Sequence, residues 1–150
     1  MKKLLIFAAL ALAGYLYYGG RIGVHAPEAA GKATVAAATS SDSVLADAYA
    51  NRRSDLQVSG EGTVTRLLPD DNKGSRHQKF IIALASGQTL LVAHNIDVAP
   101  RIQSLVPGDR VQFAGEYEWN DKGGVVHWTH RTASGPHPGG WLKHNGRTYQ

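Results

Sequence analysis

The sequence predicts an all-β domain in which five short strands close into a small barrel and a hairpin follows at the C-terminus. Three observations predict this fold class. Apolar residues recur at alternate positions in short segments after residue 55, turn residues separate these segments, and glycines interrupt the first of them. The order of three strands, a connector and two more strands is that of an oligonucleotide/oligosaccharide-binding (OB) barrel, so we expect an OB-like fold.

The first predicted strand is curved. Its apolar positions are Val58, Val64 and Leu68, and Gly60 and Gly62 lie among them. Glycine inside a strand allows a bulge or a tight bend, and the closure of a small barrel requires such bends. The glycines of this strand therefore favour a barrel over an open sheet.

The second and third predicted strands are joined by a tight turn. Three apolar residues on one face mark the second strand, namely Phe80, Ile82 and Leu84. Ser86-Gly87 supplies the turn before the third strand at 89–94. The segment 97–105 contains Ala-Pro-Arg-Ile, which favours a loop or a short helix between strands three and four.

The fourth and fifth predicted strands complete the barrel. Turn residues at 107–109 precede the fourth strand at 110–119, and a second turn at 120–124 leads into the fifth strand at 125–131.

A hairpin is predicted after the barrel. Asn145-Gly146 lies between two short strand-like runs, and this pair is a strong hairpin signal because both residues tolerate positive φ. We expect the hairpin to pack over the barrel with Trp141 as its apolar anchor.

Residues 1–20 predict a signal peptide or an N-terminal membrane anchor. Lys2 and Lys3 precede an uncharged run at 4–18, and Ala11-Leu12-Ala13 offers a small-x-small cleavage site. If the segment is retained, its tyrosines suit the membrane interface, and it contacts the membrane. Both alternatives export the remainder, so we expect a periplasmic protein or one anchored in the inner membrane and facing the periplasm.

Two further segments follow the targeting segment. Residues 21–54 are rich in alanine and serine and predict a linker, with a short helix around 44–50 as an alternative for its end. The OB-like domain with its C-terminal hairpin is then expected at 55–150.

Composition excludes several kinds of chemistry. The chain has no cysteine, which excludes a disulfide-linked partner, thiolate zinc sites and cysteine nucleophiles. Its formal net charge is +4, but Lys2 and Lys3 supply two of the sixteen basic residues, and without them the balance is 14 − 12 = +2. This mildly basic charge permits nucleic acid as a partner without requiring it.

The histidines predict a functional site in the C-terminal half. Six of the seven lie between Arg76 and Tyr149. Imidazole can donate or accept a hydrogen bond or bind a metal near neutral pH. His127 and Thr129 are predicted to share the outer face of the fifth strand, with Trp128 facing the core. His127 is then a catalytic or metal-binding residue and Thr129 a ligand-binding one, whereas the alternative is a structural histidine beside a tryptophan.

Polar residues also gather at the end of the third strand. His94 and Asp97 are candidate ligands of a divalent metal such as Mg²⁺ or Zn²⁺, His94 is also a catalytic candidate, and Asn95 is a candidate ligand-binding residue. The alternative makes Asn95 or Asp97 the cap of the following short helix, and this is the preferred interpretation for Asp97.

Three more catalytic candidates lie elsewhere. Arg76 and His77 follow a loop rich in Asp and Gly, where an arginine can steady a phosphoryl group and a histidine can act as general base or acid. Glu116 shares a face of the fourth strand with Glu118; either can be the solvated side of the strand, which is the preferred interpretation for Glu118. Trp119 and Trp141 are candidate ligand-binding residues, the first as a stacking platform.

Several long segments of the sequence resemble a bacterial exported family known only as a domain of unknown function. The segments include Leu-Pro-Asp-Asp-Asn-Lys-Gly-Ser-Arg-His-Gln (68–78), Gln-Thr-Leu-Leu-Val-Ala-His-Asn-Ile-Asp (88–97), Gly-Glu-Tyr-Glu-Trp-Asn (115–120), His-Trp-Thr-His (127–130) and His-Pro-Gly-Gly-Trp (137–141). The resemblance implies an exported protein with an N-terminal hydrophobic segment, and it implies no reaction and no catalytic residues.

Two function hypotheses from different classes follow, with a third beside them. The first is a metal-assisted phosphodiesterase or nuclease whose histidines hold the metal and move protons. The second is a binding module without chemistry, which holds single-stranded nucleic acid or an oligosaccharide in the same groove. The third is a structural role in the cell envelope, which includes a pH switch based on the histidines.

Overall fold

The computed structural model describes residues 41–132, 135 and 137–150, all within one compact unit, Thr34–Gln150. The predicted targeting segment at 1–20 and the first part of the predicted linker lie outside these residues. Among the described residues, no helix is both long and apolar enough to cross a membrane.

The described residues form one short helix and seven strands, so the all-β prediction is confirmed. The helix, α1, covers residues 41–50. The strands are β1 (Leu56–Asp71), β2 (His77–Ala83), β3 (Thr89–Asn95), β4 (Arg110–Glu118), β5 (Val125–His127), β6 (Trp141–His144) and β7 (Arg147–Tyr149).

Five strands pair into a ring. Its order is β1-β2-β3-β5-β4, and β1 also pairs with β4, which returns the ring to its start. β1 closes the ring because it has two partners. It pairs with β4 over Leu56–Thr63 and with β2 from Thr63 onward. The β3–β5 pairing is parallel and the others are antiparallel. The predicted sequence of three strands, a connector and two strands is therefore present.

The glycines of β1 allow the core to approach its backbone. A Cβ at Gly60 would lie 2.9 Å from Cζ of Phe113, and one at Gly62 would lie 3.0 Å from Cβ of Ile82. The register shifts of β1 come later, between Val64 and Arg66 and between Leu68 and Asp71. The irregularities in the pairing of β1 therefore lie beyond its glycines.

The connector between β3 and β4 is held by one buried glutamine. Gln78 in β2 donates from Nε2 to the carbonyl of Ile102 at 3.0 Å and accepts at Oε1 from the Ile102 amide at 2.9 Å. Since Ile102 is itself part of the core, this pair of bonds satisfies buried backbone groups in a segment without regular structure.

Helix α1 is part of the folded unit. Leu45 and Ala48 are fully buried in the core cluster. Trp119 packs against the same cluster and donates from Nε1 to the Tyr49 carbonyl at 3.1 Å. Residues 41–50 of the predicted linker therefore belong to the domain, because the spacing of Leu45 and Ala48 gives the helix one apolar face.

The C-terminal hairpin is present but extends the sheet instead of packing over the ring. β6 pairs with β4, and β7 pairs with β6. Leu142, His144 and Tyr149 are its buried residues, whereas Trp141 is only half-buried. The predicted anchor role of Trp141 therefore belongs to Leu142, which alternates onto the inner face.

Candidate functional site

One row of side chains crosses the outer face of the ring. Lys79 on β2 pairs with Ala93 on β3, and His127 on β5 pairs with Glu116 on β4. The parallel register of β3 and β5, continued along the strands, brings Ala93 beside His127. The row is therefore Lys79, Ala93, His127, Glu116, and side chains of alternate residues point to this face.

Glu116, Glu118 and His127 form a group that can hold a metal ion. One donor atom from each lies within 4.8 Å of the others. His127 Nε2 is 3.6 Å from Glu116 Oε1 and 4.0 Å from Glu118 Oε1, so neither contact is a hydrogen bond. Donors bound to one ion at about 2.1 Å each stand roughly 3 Å apart, so small side-chain adjustments would close the group around a cation.

The electrostatics of His127 favour a neutral ring. Its Nε2 is buried and has no hydrogen-bond partner among the described residues. Burial lowers the pKa of His127 below its ordinary value, and the neighbouring carboxylates of Glu116 and Glu118 oppose this without reversing it. A neutral imidazole with a free nitrogen lone pair is the form that binds metals.

His137 holds the far oxygen of Glu116. Its Nδ1 lies 3.0 Å from Glu116 Oε2, and its ring stacks on Trp128 with centroids 4.4 Å apart and planes 13° from parallel. Glu116 Oε2 is thereby engaged, while Oε1 remains toward His127. Such an outer partner fixes the orientation of a metal-binding carboxylate.

The turn after β5 is built around unusual backbone. Trp128 has φ 51°, a left-handed value that is rare for a bulky residue. A Cβ at Gly115 would lie 2.3 Å from the His127 carbonyl oxygen, and one at Gly140 would lie 2.0 Å from the Trp128 carbonyl oxygen. These two glycines let the turn approach β4 closely enough to present His127 beside Glu116.

The left-handed Trp128 overturns one prediction about this strand. β5 ends at His127, and strict alternation fails after it. Thr129 is consequently fully buried instead of sharing the outer face with His127. Trp128 is half-buried and contacts His137 instead of facing the core.

A depression of about 340 Å³ adjoins the metal-binding group. Its lining consists of Asp71, His77, Lys79, Leu91, Ala93, Glu118, Val125 and His127. His77 donates from Nδ1 to the Ser75 carbonyl at 2.8 Å, which leaves the Nε2 lone pair of the neutral ring available. Lys79 Nζ is 3.9 Å from Asp71 Oδ2, too far for a hydrogen bond. The amide of Lys73 donates to Asp71 and lowers the pKa of its carboxyl, so Asp71 is ionised.

His94 is separated from this face by the sheet. It is fully buried, its Nδ1 lies 2.8 Å from Thr129 Oγ1, and its Nε2 lies 3.1 Å from the Pro100 carbonyl oxygen. Because a carbonyl only accepts, Nε2 carries the proton and Nδ1 accepts from the threonine. Burial lowers the pKa of His94, and both ring nitrogens are engaged within the protein. The structure therefore places the metal candidates His94 and His127 on opposite faces.

Arg76, Asn95 and Asp97 form a small network beside the depression. Asp97 accepts from the Arg76 amide and from its Nε, both at 2.7 Å, and the first of these contacts is the main cause that lowers the pKa of Asp97. Asn95 Oδ1 accepts from the Asp97 amide at 3.0 Å. Asn95 thus holds a turn, but no helix follows it among the described residues, so the cap expected of Asn95 or Asp97 is not formed. Asp97 instead holds the loop of Arg76.

The two tryptophan candidates lie away from the metal-binding group. Trp119 packs under α1, and the guanidinium of Arg52 lies 5.3 Å from its ring centroid. Trp141 begins β6, opposite Ala114. Neither lines the depression.

Sequence reasoning missed two residues of the site. The sequence favours the solvated side of β4 for Glu118 and indicates no role for His137. The signal for Glu118 was its spacing from Glu116 on a strand that precedes the strand of His127. The contact of His137 depends on the turn at Trp128, which no local pattern indicates.

Comparison with known proteins identifies the family. A family described as a protein of unknown function, DUF3465, matches residues 29–150. The chain therefore belongs to the DUF3465 family. No curated protein matches it.

Proposed function

We propose that Glu116, Glu118 and His127 bind one divalent transition-metal ion. The observation that carries this proposal is the convergence of their donor atoms within 4.8 Å. The buried, unpartnered Nε2 of His127 supports it, because a buried polar atom without a partner is unfavourable unless something binds there. The outer hydrogen bond from His137 supports it as well.

The donor set favours Zn²⁺ or Mn²⁺ over Ca²⁺. Imidazole suits zinc and related ions, whereas Ca²⁺ takes six to eight oxygen ligands. Two carboxylates and one imidazole leave coordination positions open, as in catalytic sites. Mg²⁺ is the comparison ion, since it also accepts carboxylates but prefers an all-oxygen shell.

We further propose that this centre hydrolyses a phosphodiester. A water oxygen forms a bond to phosphorus, and the ester bond to one alcohol breaks. One proton of the water passes to a base, and the leaving alkoxide gains a proton, so the products are a phosphate monoester and an alcohol. The ion would supply an activated water and offset charge on the phosphate.

Residues of the depression would assist this reaction. The ring of His77 is oriented by Ser75, and its Nε2 has no hydrogen-bond partner among the described residues, which suits a general base. Lys79 has an ammonium group without a hydrogen bond to Asp71, and it would hold a phosphate oxygen. Arg76 was the sequence candidate for this role, but its Nε is bonded to Asp97.

The proposal includes a fold and a compartment, and the structure and the sequence support them. The strand ring has the order of an OB-like barrel, and the outer face of such barrels binds ligands. Lys2, Lys3 and the uncharged run after them support export to the periplasm or anchoring in the inner membrane.

The alternative, a binding module for nucleic acid or oligosaccharide, loses its aromatic platform. Trp119 donates to the Tyr49 carbonyl and its ring lies beside the Arg52 guanidinium. One face of the Trp128 ring stacks on His137. Lys79 still offers a positive charge to a phosphate backbone, so the electrostatic part of the binding hypothesis is retained. Metal-independent retention of nucleic acid that weakens steeply with salt would favour it over the metal centre.

The test is calorimetric titration of the metal-free full chain with Zn²⁺, Mn²⁺ and Mg²⁺, followed by assay of phosphodiester hydrolysis. We expect one equivalent of Zn²⁺ or Mn²⁺ to bind, and His127→Ala and Glu118→Gln to abolish binding and hydrolysis together. The matched control is His130→Ala, since the His130 ring donates to the Arg131 carbonyl, contacts Trp128 and supplies no donor atom to the group. Equal metal affinity of the His127→Ala variant would refute the proposed centre.

A further inference from the structure

The depression beside the proposed metal centre has a layout that restricts its substrate. The lateral row places Lys79 and His127 on strands separated by one strand, β3, so their backbones are roughly 10 Å apart. Ala93 lies between them, and its small side chain leaves the space above the strand open. Lys79 and the proposed metal-binding group therefore lie on either side of a gap above Ala93.

The charges around this gap balance once an ion is bound. Glu116 and Glu118 offset a divalent cation, and Asp71 offsets Lys79 at 3.9 Å. A neutral cleft disfavours a doubly charged phosphate monoester relative to a singly charged phosphodiester, because each uncompensated charge is costly to desolvate.

The floor of the depression is aliphatic. It consists of Leu91, Ala93 and Val125, and the only rings among the lining residues are the imidazoles of His77 and His127. Nucleobases stack best on the large rings of tryptophan, tyrosine and phenylalanine, none of which is among the described lining residues. The two imidazoles are assigned to the metal centre and to the general base. An aliphatic floor instead contacts alkyl or glycerol groups through burial of apolar surface.

We infer that the substrate is an aliphatic phosphodiester of the glycerophosphodiester class, and that nucleic acid is a poor substrate. This inference rests on the proposed phosphodiesterase function. Water cleaves the P–O bond to the smaller alcohol, which leaves as the free alcohol, and glycerol phosphate is the second product. Lys79 holds the single anionic oxygen, and the floor holds the glycerol carbons.

The same chemistry occurs in two sources, and the assay separates them. The metal-loaded full chain is incubated with soluble glycerophosphoethanolamine, with vesicles of phosphatidylethanolamine, with the dinucleotide thymidylyl-thymidine and with bis(p-nitrophenyl) phosphate. Products are followed by phosphorus NMR. Turnover of the soluble diester supports the inference with a free substrate, and turnover of the vesicles alone supports it with a lipid headgroup.

We expect kcat/KM for the glycerophosphodiester to be at least about tenfold higher than for the dinucleotide. A factor of about ten corresponds to the free energy of roughly one base-stacking contact. Leu91→Phe adds a ring to the floor and should narrow this ratio, with Val125→Phe as the second variant if the first fails to fold. Lys79→Ala should raise KM for the diester, whereas the exposed turn residue Lys122 provides the control Lys122→Ala.

Two outcomes would contradict the inference. They differ in whether they also contradict the proposed phosphodiesterase function. Faster hydrolysis of the dinucleotide would overturn the substrate class and leave the phosphodiesterase function standing. Failure to hydrolyse any of the four substrates, bis(p-nitrophenyl) phosphate included, while one ion is bound would overturn the phosphodiesterase function and this inference together.

Discussion

His137 joins a stacked ring to the carboxylate of Glu116, and in the proposed metal centre this makes it a positioning residue. It donates to Glu116 Oε2 and lies flat on Trp128, so its ring cannot turn without losing one of the two contacts. The carboxylate of Glu116 consequently presents a single oxygen to His127. A residue that acts in this way changes the affinity of a site without supplying a ligand atom to it.

Loss of His137 should weaken metal binding without abolishing it. We expect His137→Ala to lower the affinity for Zn²⁺ by about 10–100-fold, the usual range for outer partners of metal ligands. Titration calorimetry measures the affinity, and the fluorescence of Trp128 in a Trp119→Phe, Trp141→Phe background reports the lost stacking. An unchanged affinity in His137→Ala would show that Glu116 does not depend on this bond.

His94 should make stability depend on pH in a predictable direction. Its pKa in the folded chain is lowered by burial from its ordinary value near 6.5. Its contribution is therefore fully present above about pH 6.5 and is lost as pH falls toward the folded-state pKa, because only the unfolded chain takes up the proton.

We expect the urea midpoint to fall between about pH 6.5 and pH 5, and the fall to be smaller in His94→Gln, which keeps polar atoms toward Thr129 and Pro100. Urea unfolding at several pH values measures this. The same pH slope in both proteins would assign the effect to other groups.

Helix α1 is part of the folded domain although its composition is typical of a linker. It is ten residues long in the described chain, and only Leu45 and Ala48 are core residues. Asp42 accepts at Oδ2 from the Ser86 amide at 2.9 Å, which ties the start of the helix to the β2–β3 turn. The ends of α1 are thus attached to two different loops, at Ser86 and at Trp119.

Removal of the buried leucine should destabilise the whole domain. We expect Leu45→Ala to lower the free energy of unfolding by about 2–5 kcal/mol, the usual range for truncation of a fully buried leucine. The adjacent Val44 is 52% exposed, so Val44→Ala is the matched control and should change stability by less than about 0.5 kcal/mol. Equal effects of the two substitutions in urea unfolding would mean that α1 does not pack as described.

The positions of the strands could be predicted from the sequence, whereas only some residues of the candidate site could. Alternation of apolar residues and the glycine, proline and asparagine turns located the strands of the ring within a few residues. His127 and Glu116 were found because their residue types carry chemistry. Their partnership was not predictable, since it depends on the pairing of β4 with β5, and Thr129 was misplaced because the positive φ of Trp128 breaks the strand period.

At the scale of the whole molecule, the proposed metal-binding group includes residues of two neighbouring strands of the ring. Glu116 and Glu118 lie on β4 and His127 lies on β5, and β5 has only three residues in its strand. An ion bound to both strands would therefore reinforce a short pairing between them.

The folded chain should accordingly be more heat-stable with metal than without it. At a free ion concentration about 100 times Kd, binding to the folded state alone adds about 2.7 kcal/mol. We expect Zn²⁺ to raise the Tm by several degrees, a chelator to reverse the rise, and Glu118→Gln to remove it. Scanning calorimetry of the full chain measures these shifts. A Tm that is indifferent to Zn²⁺ at saturating concentration would contradict a site that spans β4 and β5.

The division of β1 between two partners has a consequence for the order of assembly. Its first half pairs with β4, and its second half pairs with β2. The β1–β2–β3 meander can form as soon as these strands emerge, but its Leu56–Thr63 edge stays unpaired until β4, which ends at Glu118, is available. We therefore expect ring closure to be a late, long-range step of folding, before which the open edge of the meander can pair with other chains.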